Sequence, residues 1–109
     1  MHIEYIHSTT KEKAVQKIDT FLDELMQWQF PGGIVIKEPT KNWLGDTMSF
    51  SFRVKKGFLG TTITGTVRVD DQLVVIDMDI PGIVLFFISE DRIREVINRQ
   101  LDELFKVSA

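Results

Sequence analysis

Apolar and polar residues alternate strictly along three stretches in the middle of the chain. Met48, Phe50, Phe52 and Val54 are separated by Ser49, Ser51 and Arg53; Ile63, Gly65, Val67 and Val69 by Thr64, Thr66 and Arg68; Val74, Ile76, Met78 and Ile80 by Val75, Asp77 and Asp79. A period of two sends successive side chains to opposite faces, so each stretch predicts a strand with one dry side. Short connections at Lys56–Gly60 and Asp70–Gln72 make the three a meander. With the first turn centred on Phe58-Leu59, Val54 faces Ile63, Phe52 faces Gly65 and Phe50 faces Val67, and a phenyl ring covers the backbone that Gly65 leaves bare.

On either side the period lengthens. Residues 2–6 alternate briefly, with Ile3 and Tyr5 apolar, and predict a short edge strand. Thr9-Thr10-Lys11-Glu12 has the form of a capping box and starts a helix whose stripe is Ala14, Ile18, Phe21, Leu22, Leu25 and Trp28. Pro31-Gly32-Gly33 cannot continue it. Ile34-Val35-Ile36 reads as a short strand, and Lys37 to Asn42, with Pro39, as a polar loop leading to Trp43-Leu44-Gly45-Asp46. After Pro81-Gly82 the run Ile83 to Ile88 is apolar throughout, and the pattern leaves open a helical segment or an irregular bridge. Ser89-Glu90-Asp91 then caps a second helix with the stripe Ile93, Val96, Ile97, Leu101, Leu104 and Phe105. The order β-α-β-β-β-β-α predicts one α+β domain over residues 1–109: a two-layer sandwich, its antiparallel sheet of four to five strands carrying two helices on one face.

Composition supports a self-sufficient core. Of 109 residues, 43% are hydrophobic and 27% charged, outside the profile of disorder. A net charge of −3 argues against nucleic acid as a partner, which calls for a surplus of Lys and Arg. The chain has no cysteine, which removes disulfides, thiolate nucleophiles and Cys-based zinc sites and suits a reducing compartment. No stretch reaches the ~20 apolar residues of a transmembrane segment, and the N-terminus lacks a secretory signal, so the expected location is cytoplasmic.

Candidate chemistry is sparse. His2 and His7 have no local third ligand and read as polar residues of an edge strand and a helix entry, with no metal expected. Asp77 and Asp79 share one side of a strand and, with His7 or Arg68, define the enzymatic alternative, a small hydrolase or isomerase with a carboxylate site on the sheet face. Cross-strand pairing with Arg53 and Arg68 explains the same carboxylates more simply. The glycines at 32–33 and 57–60 match no phosphate or dinucleotide fingerprint, so no cofactor is expected. Phe58 and Leu59 either fold back as a lid over the open end of the core, as Gly57 and Gly60 allow, or form an exposed contact beside Lys55 and Lys56. Leu85, Phe86 and Phe87 belong to a run too apolar for a helix with one wet side, and require burial in this domain or against a second copy, as a homodimer. Together Phe58, Leu59, Leu85, Phe86 and Phe87 are the candidate binding residues of a non-enzymatic accessory or binding module.

Several stretches carry a family resemblance. His7-Ser8 before a helix containing Ala14, then Trp43-Leu44-Gly45-Asp46-Thr47-Met48-Ser49-Phe50, Gly65-Thr66-Val67-Arg68-Val69, and the closing Leu101-Asp102-Glu103-Leu104 resemble the polyhydroxyalkanoic acid system proteins. These are small bacterial proteins associated with polyhydroxyalkanoate granule gene regions. The stretch from Phe30 to Asn42 is longer than expected for them. The resemblance implies a bacterial accessory role in polyester or lipid metabolism, and the apolar residues at Phe58-Leu59 and Ile83 to Ile88 add the expectation of a hydrophobic ligand, a granule surface or a protein as partner. It brings no catalytic residues.

Overall fold

The computed structural model describes residues 1–26 and 33–106. Its elements are β1 (His2–Ile6), α1 (Lys11–Met26), β2 (Ile34–Leu44), β3 (Thr47–Lys56), β4 (Leu59–Val69), β5 (Leu73–Asp79) and α2 (Glu90–Leu104), with a 3-10 turn over Val84–Phe86. All strand pairs are antiparallel, in the order β1-β5-β4-β3-β2. The predicted α+β sandwich is therefore present with five strands. Trp28, the Pro31-Gly32 turn and the side chains of Leu22 and Leu25 lie outside the described residues.

The dry rows of β3, β4 and β5 supply Met48, Phe50, Phe52, Ile63, Val67, Val69, Val74 and Ile76, all buried beneath the helices. The hairpin register differs from the expected one by two residues. Phe50 pairs with Gly65, Phe52 with Ile63 and Val54 with Thr61, because the tight turn is Gly57-Phe58, with Gly57 at a φ of 62° that glycine takes without strain. A slip of two leaves every side chain on its face, which is why the pattern of apolar residues could not resolve it. The ring over Gly65 is consequently that of Phe50.

β2 overturns the expected loop. Residues 34–44 form one strand with an extra residue between Lys37 and Thr40: Lys37 pairs with Arg53, but Thr40 pairs with Ser51. This bulge, with Glu38 at a φ of 54°, reverses the facing of the strand. Ile34 and Ile36 face the helices before it, and Lys41 and Trp43 face them after it, so even and odd positions share one side. Trp43 Nε1 donates to Asp19 of α1 over 2.8 Å, and Lys41 Nζ reaches the carboxylates of Asp19 and Asp23 at 3.3 and 3.4 Å. The bulge thereby ties an edge strand to a helix.

Helix α1 starts one residue later than the capping-box reading requires. Thr10 is the capping residue, its hydroxyl accepting from the Lys13 amide at 3.2 Å, and Lys13 has no acceptor to reciprocate as Glu would. His7 secures the corner from β1. Its Nε2 donates to the Asp70 carbonyl at 2.7 Å, its Nδ1 accepts from the Thr9 amide, and its ring stacks on Phe105 at 5.6 Å. At α2, Ser89 accepts from the Arg92 amide, as expected of its N-cap.

Candidate functional site

Helices α1 and α2 run antiparallel over one face of the sheet and are joined at the end where β1 gives way to α1. There Ala14, Ile18, Leu101 and Phe105 are buried, and Lys17 Nζ donates to the Leu104 carbonyl at 3.0 Å. Tyr5 adds a stack on Phe105 and donates its hydroxyl to Asp102 at 2.9 Å. Burial, and then this carboxylate, push the Tyr5 hydroxyl up to about 12.

Toward the opposite end, which carries the β3–β4 turn and is called the tip below, the side chains do not fill the space. Phe21 of α1 and Ile93, Val96 and Ile97 of α2 stand over Phe50, Phe52, Ile76 and Met78 and leave a cavity of about 110 Å³. Among the described residues, every one lining it is Phe, Ile, Met or Val. A partly open pocket of this size without polar partners suits apolar molecules, as an engineered cavity of roughly 150 Å³ takes up benzene. A second pocket of about 20 Å³ shares the walls Ile34, Val54 and Val84 with the first and continues toward the tip, where Lys56, Leu59, Ile83 and Phe87 border it. Lys56 Nζ lies 4.6 Å from the centre of the Phe87 ring, a cation–π contact.

The candidate binding residues all lie at the tip. Leu59 and Phe87 meet across the small pocket, whereas Phe58 and Phe86, 94% and 86% exposed, and Leu85 lie outside its walls. Phe58 is therefore no lid; the turn that places Gly57 at positive φ turns its ring to solvent. Nor is the run 83–88 buried within the domain: the 3-10 turn buries Val84 and half-buries Ile88, leaving Ile83, Leu85, Phe86 and Phe87 exposed.

The carboxylate alternative is scattered by the fold. Asp77 and Asp79 are exposed on the open face of the sheet, away from both cavities. Asp77 lies 2.5 Å from His2 Nδ1, and Arg68 pairs with Asp70 at 3.5 Å. Hydrogen bonds to the carboxylates of Asp77 and then Glu4 raise the pKa of the His2 ring. His7 is buried at the β1–α1 corner, and among the described residues no three acidic or histidine side chains cluster as metal ligands. No helix among the described residues is long and apolar enough to cross a membrane.

Reading the sequence alone missed the α2 wall of the cavity, because Ile93, Val96 and Ile97 look like any core stripe. It also missed the Lys56–Phe87 contact, which joins segments thirty-one residues apart and has no local signal. A comparison with family models matches residues 1–105 to the family described as "Putative polyhydroxyalkanoic acid system protein". The chain belongs to this family. The polyhydroxyalkanoic acid system assignment covers every element from β1 to α2. No curated protein and no solved structure matches the chain.

Proposed function

We propose that this polyhydroxyalkanoic acid system protein is a non-enzymatic binding protein that holds an apolar chain, such as the tail of a fatty acid, in the cavity between its sheet and α2. The observation that carries the reading is the lining, apolar throughout among the described residues, of a cavity of about 110 Å³ that connects by shared walls to a pocket at the tip. Such a lining offers nothing to hydrogen-bond a polar group, so a ligand leaves its polar end outside, near Lys56. Among the described residues it also places no acid, base or nucleophile against the bound chain, which favours holding over chemistry.

Titration with the fluorescent fatty acid cis-parinaric acid, followed by displacement with straight-chain fatty acids of increasing length, tests the proposal. Saturable binding at one site per chain is expected, weakened at least about tenfold by Val96→Phe, which fills the cavity. Absence of saturable binding, or equal binding by Val96→Phe, would overturn it.

A further inference from the structure

The tip has a chemistry of its own. It brings together two segments that are remote in sequence, the β3–β4 turn with Phe58 and Leu59 and the chain after β5 with Ile83, Leu85, Phe86 and Phe87, and leaves all six side chains exposed. Clustered exposed apolar residues at one end of a small domain mark an interaction surface. What it meets is indicated by the charges around it. Residues 53–62 carry Arg53, Lys55 and Lys56 and no acid, and residues 80–89 carry no charge at all. The Arg53 guanidinium and the stem of Lys55 lie against Gly60, beside the turn, and Lys56 lies over Phe87. Glu38 and Asp79 lie on β2 and at the end of β5, and Glu90 and Asp91 on the first turn of α2, where Glu90 pairs with Arg94. In a protein of net charge −3, a turn that carries three basic residues and no acid beside protruding phenyl rings is a local reversal of sign.

We infer that the tip docks on an anionic phospholipid surface, with Phe58 and Phe86 entering the interfacial layer and Arg53, Lys55 and Lys56 meeting the headgroups. Aromatic and aliphatic side chains beside basic ones are the combination that binds such interfaces, the first through burial and the second through the negative surface potential. Docking in this orientation turns the small pocket, and through Ile34, Val54 and Val84 the main cavity, toward the lipid. An apolar chain then passes between surface and cavity without crossing water, a consequence that rests on the cavity's proposed occupant; the docking itself does not.

Co-sedimentation with vesicles of phosphatidylglycerol and phosphatidylcholine, against vesicles of phosphatidylcholine alone, tests the inference. The full chain is expected to pellet with the anionic vesicles only, and less as salt rises. Lys55→Gln and Lys56→Gln should each weaken binding about fivefold, and the double variant Phe58→Ser/Phe86→Ser should abolish it. Val96→Phe should pellet like the wild type, which separates docking from cavity occupancy. No pelleting, pelleting insensitive to lipid charge, or pelleting unchanged in Phe58→Ser/Phe86→Ser would overturn the inference. So would a concentration-dependent dimer in sedimentation velocity that Phe58→Ser/Phe86→Ser dissolves, since a second copy would then cover the patch.

Discussion

Phe50 lies directly across from Gly65 in the β3–β4 ladder, and its ring occupies the space a side chain at 65 would need. A Cβ built on Gly65 falls 2.6 Å from Phe50 Cζ and 2.5 Å from the backbone carbonyl oxygen of Asp77. The ring can turn aside, but the β5 backbone cannot move without breaking its ladder. Gly65→Ala should therefore destabilise by roughly 1–3 kcal/mol, read as a lower melting temperature. Pairing it with Phe50→Leu should recover only part of the loss, because the carbonyl contact remains; full recovery would show that the ring alone sets the requirement.

Filling the cavity should stabilise the fold. Val96→Phe places a ring in space now empty, and cavity-filling substitutions commonly gain about 0.5–2 kcal/mol. Chemical denaturation of the ligand-free protein would check this. A clear loss of stability would mean that the cavity walls cannot accept the added volume.

Exposed rings should be dispensable for folding. Phe58→Ser and Phe86→Ser should each shift stability by no more than about 0.5 kcal/mol, in contrast to Phe52→Ala, where removing a buried ring typically costs about 3–5 kcal/mol. Melting curves of the three variants under one buffer condition give the comparison.

The anchor of β2 on α1 should weaken in acid. The hydrogen bond from Trp43, and then Lys41, hold the Asp19 carboxyl below its ordinary value of 3.8. A group whose folded pKa is depressed contributes stability that is present above the unfolded value and is lost as pH falls through the folded one. Melting temperature followed downward from about pH 5 should fall less steeply in Asp19→Asn, which keeps an acceptor for Trp43 but does not titrate. Identical slopes would exclude a contribution from Asp19.

His2 shifts the other way. With Asp77 and Glu4 beside it, its folded pKa lies above 6.5, so the pair's contribution is full below 6.5 and is lost as pH rises through the raised value. An NMR titration of the His2 ring should give a midpoint above 6.5 that moves back toward it in Asp77→Asn.

Where one residue per step carries the information, the chain is legible from its pattern. Met48 to Val54, Ile63 to Val69 and Val74 to Ile80 each keep one parity, and all three are strands with the expected face inward. β2 is not legible in this way, because its bulge changes parity between Ile36 and Trp43 and scrambles the alternation into an apparent polar loop. The cavity is hidden for a different reason. It is a residue of volume between elements, set by how far Phe21 stands from Ile93, Val96 and Ile97, and no property of those positions taken singly reports a gap. At the tip, the residue types of Phe58, Leu85, Phe86 and Phe87 are informative, while the exposure of Phe58 depends on a turn placed one residue earlier than the pattern implies, and that of the other three on the 3-10 turn after β5.

The extra residue in β2 has a further effect at the margin of the sheet. β2 is the outermost strand on its side, eleven residues long, and a straight strand of that length would offer a neighbouring chain an uninterrupted row of amide and carbonyl groups. Glu38 twists that row, Pro39 removes one donor from it, and Lys37 and Lys41 put charge on both sides of the break. The irregularity that aims Trp43 at Asp19 thus also breaks up the edge along which a chain rich in Thr, Val and Ile would otherwise extend its sheet.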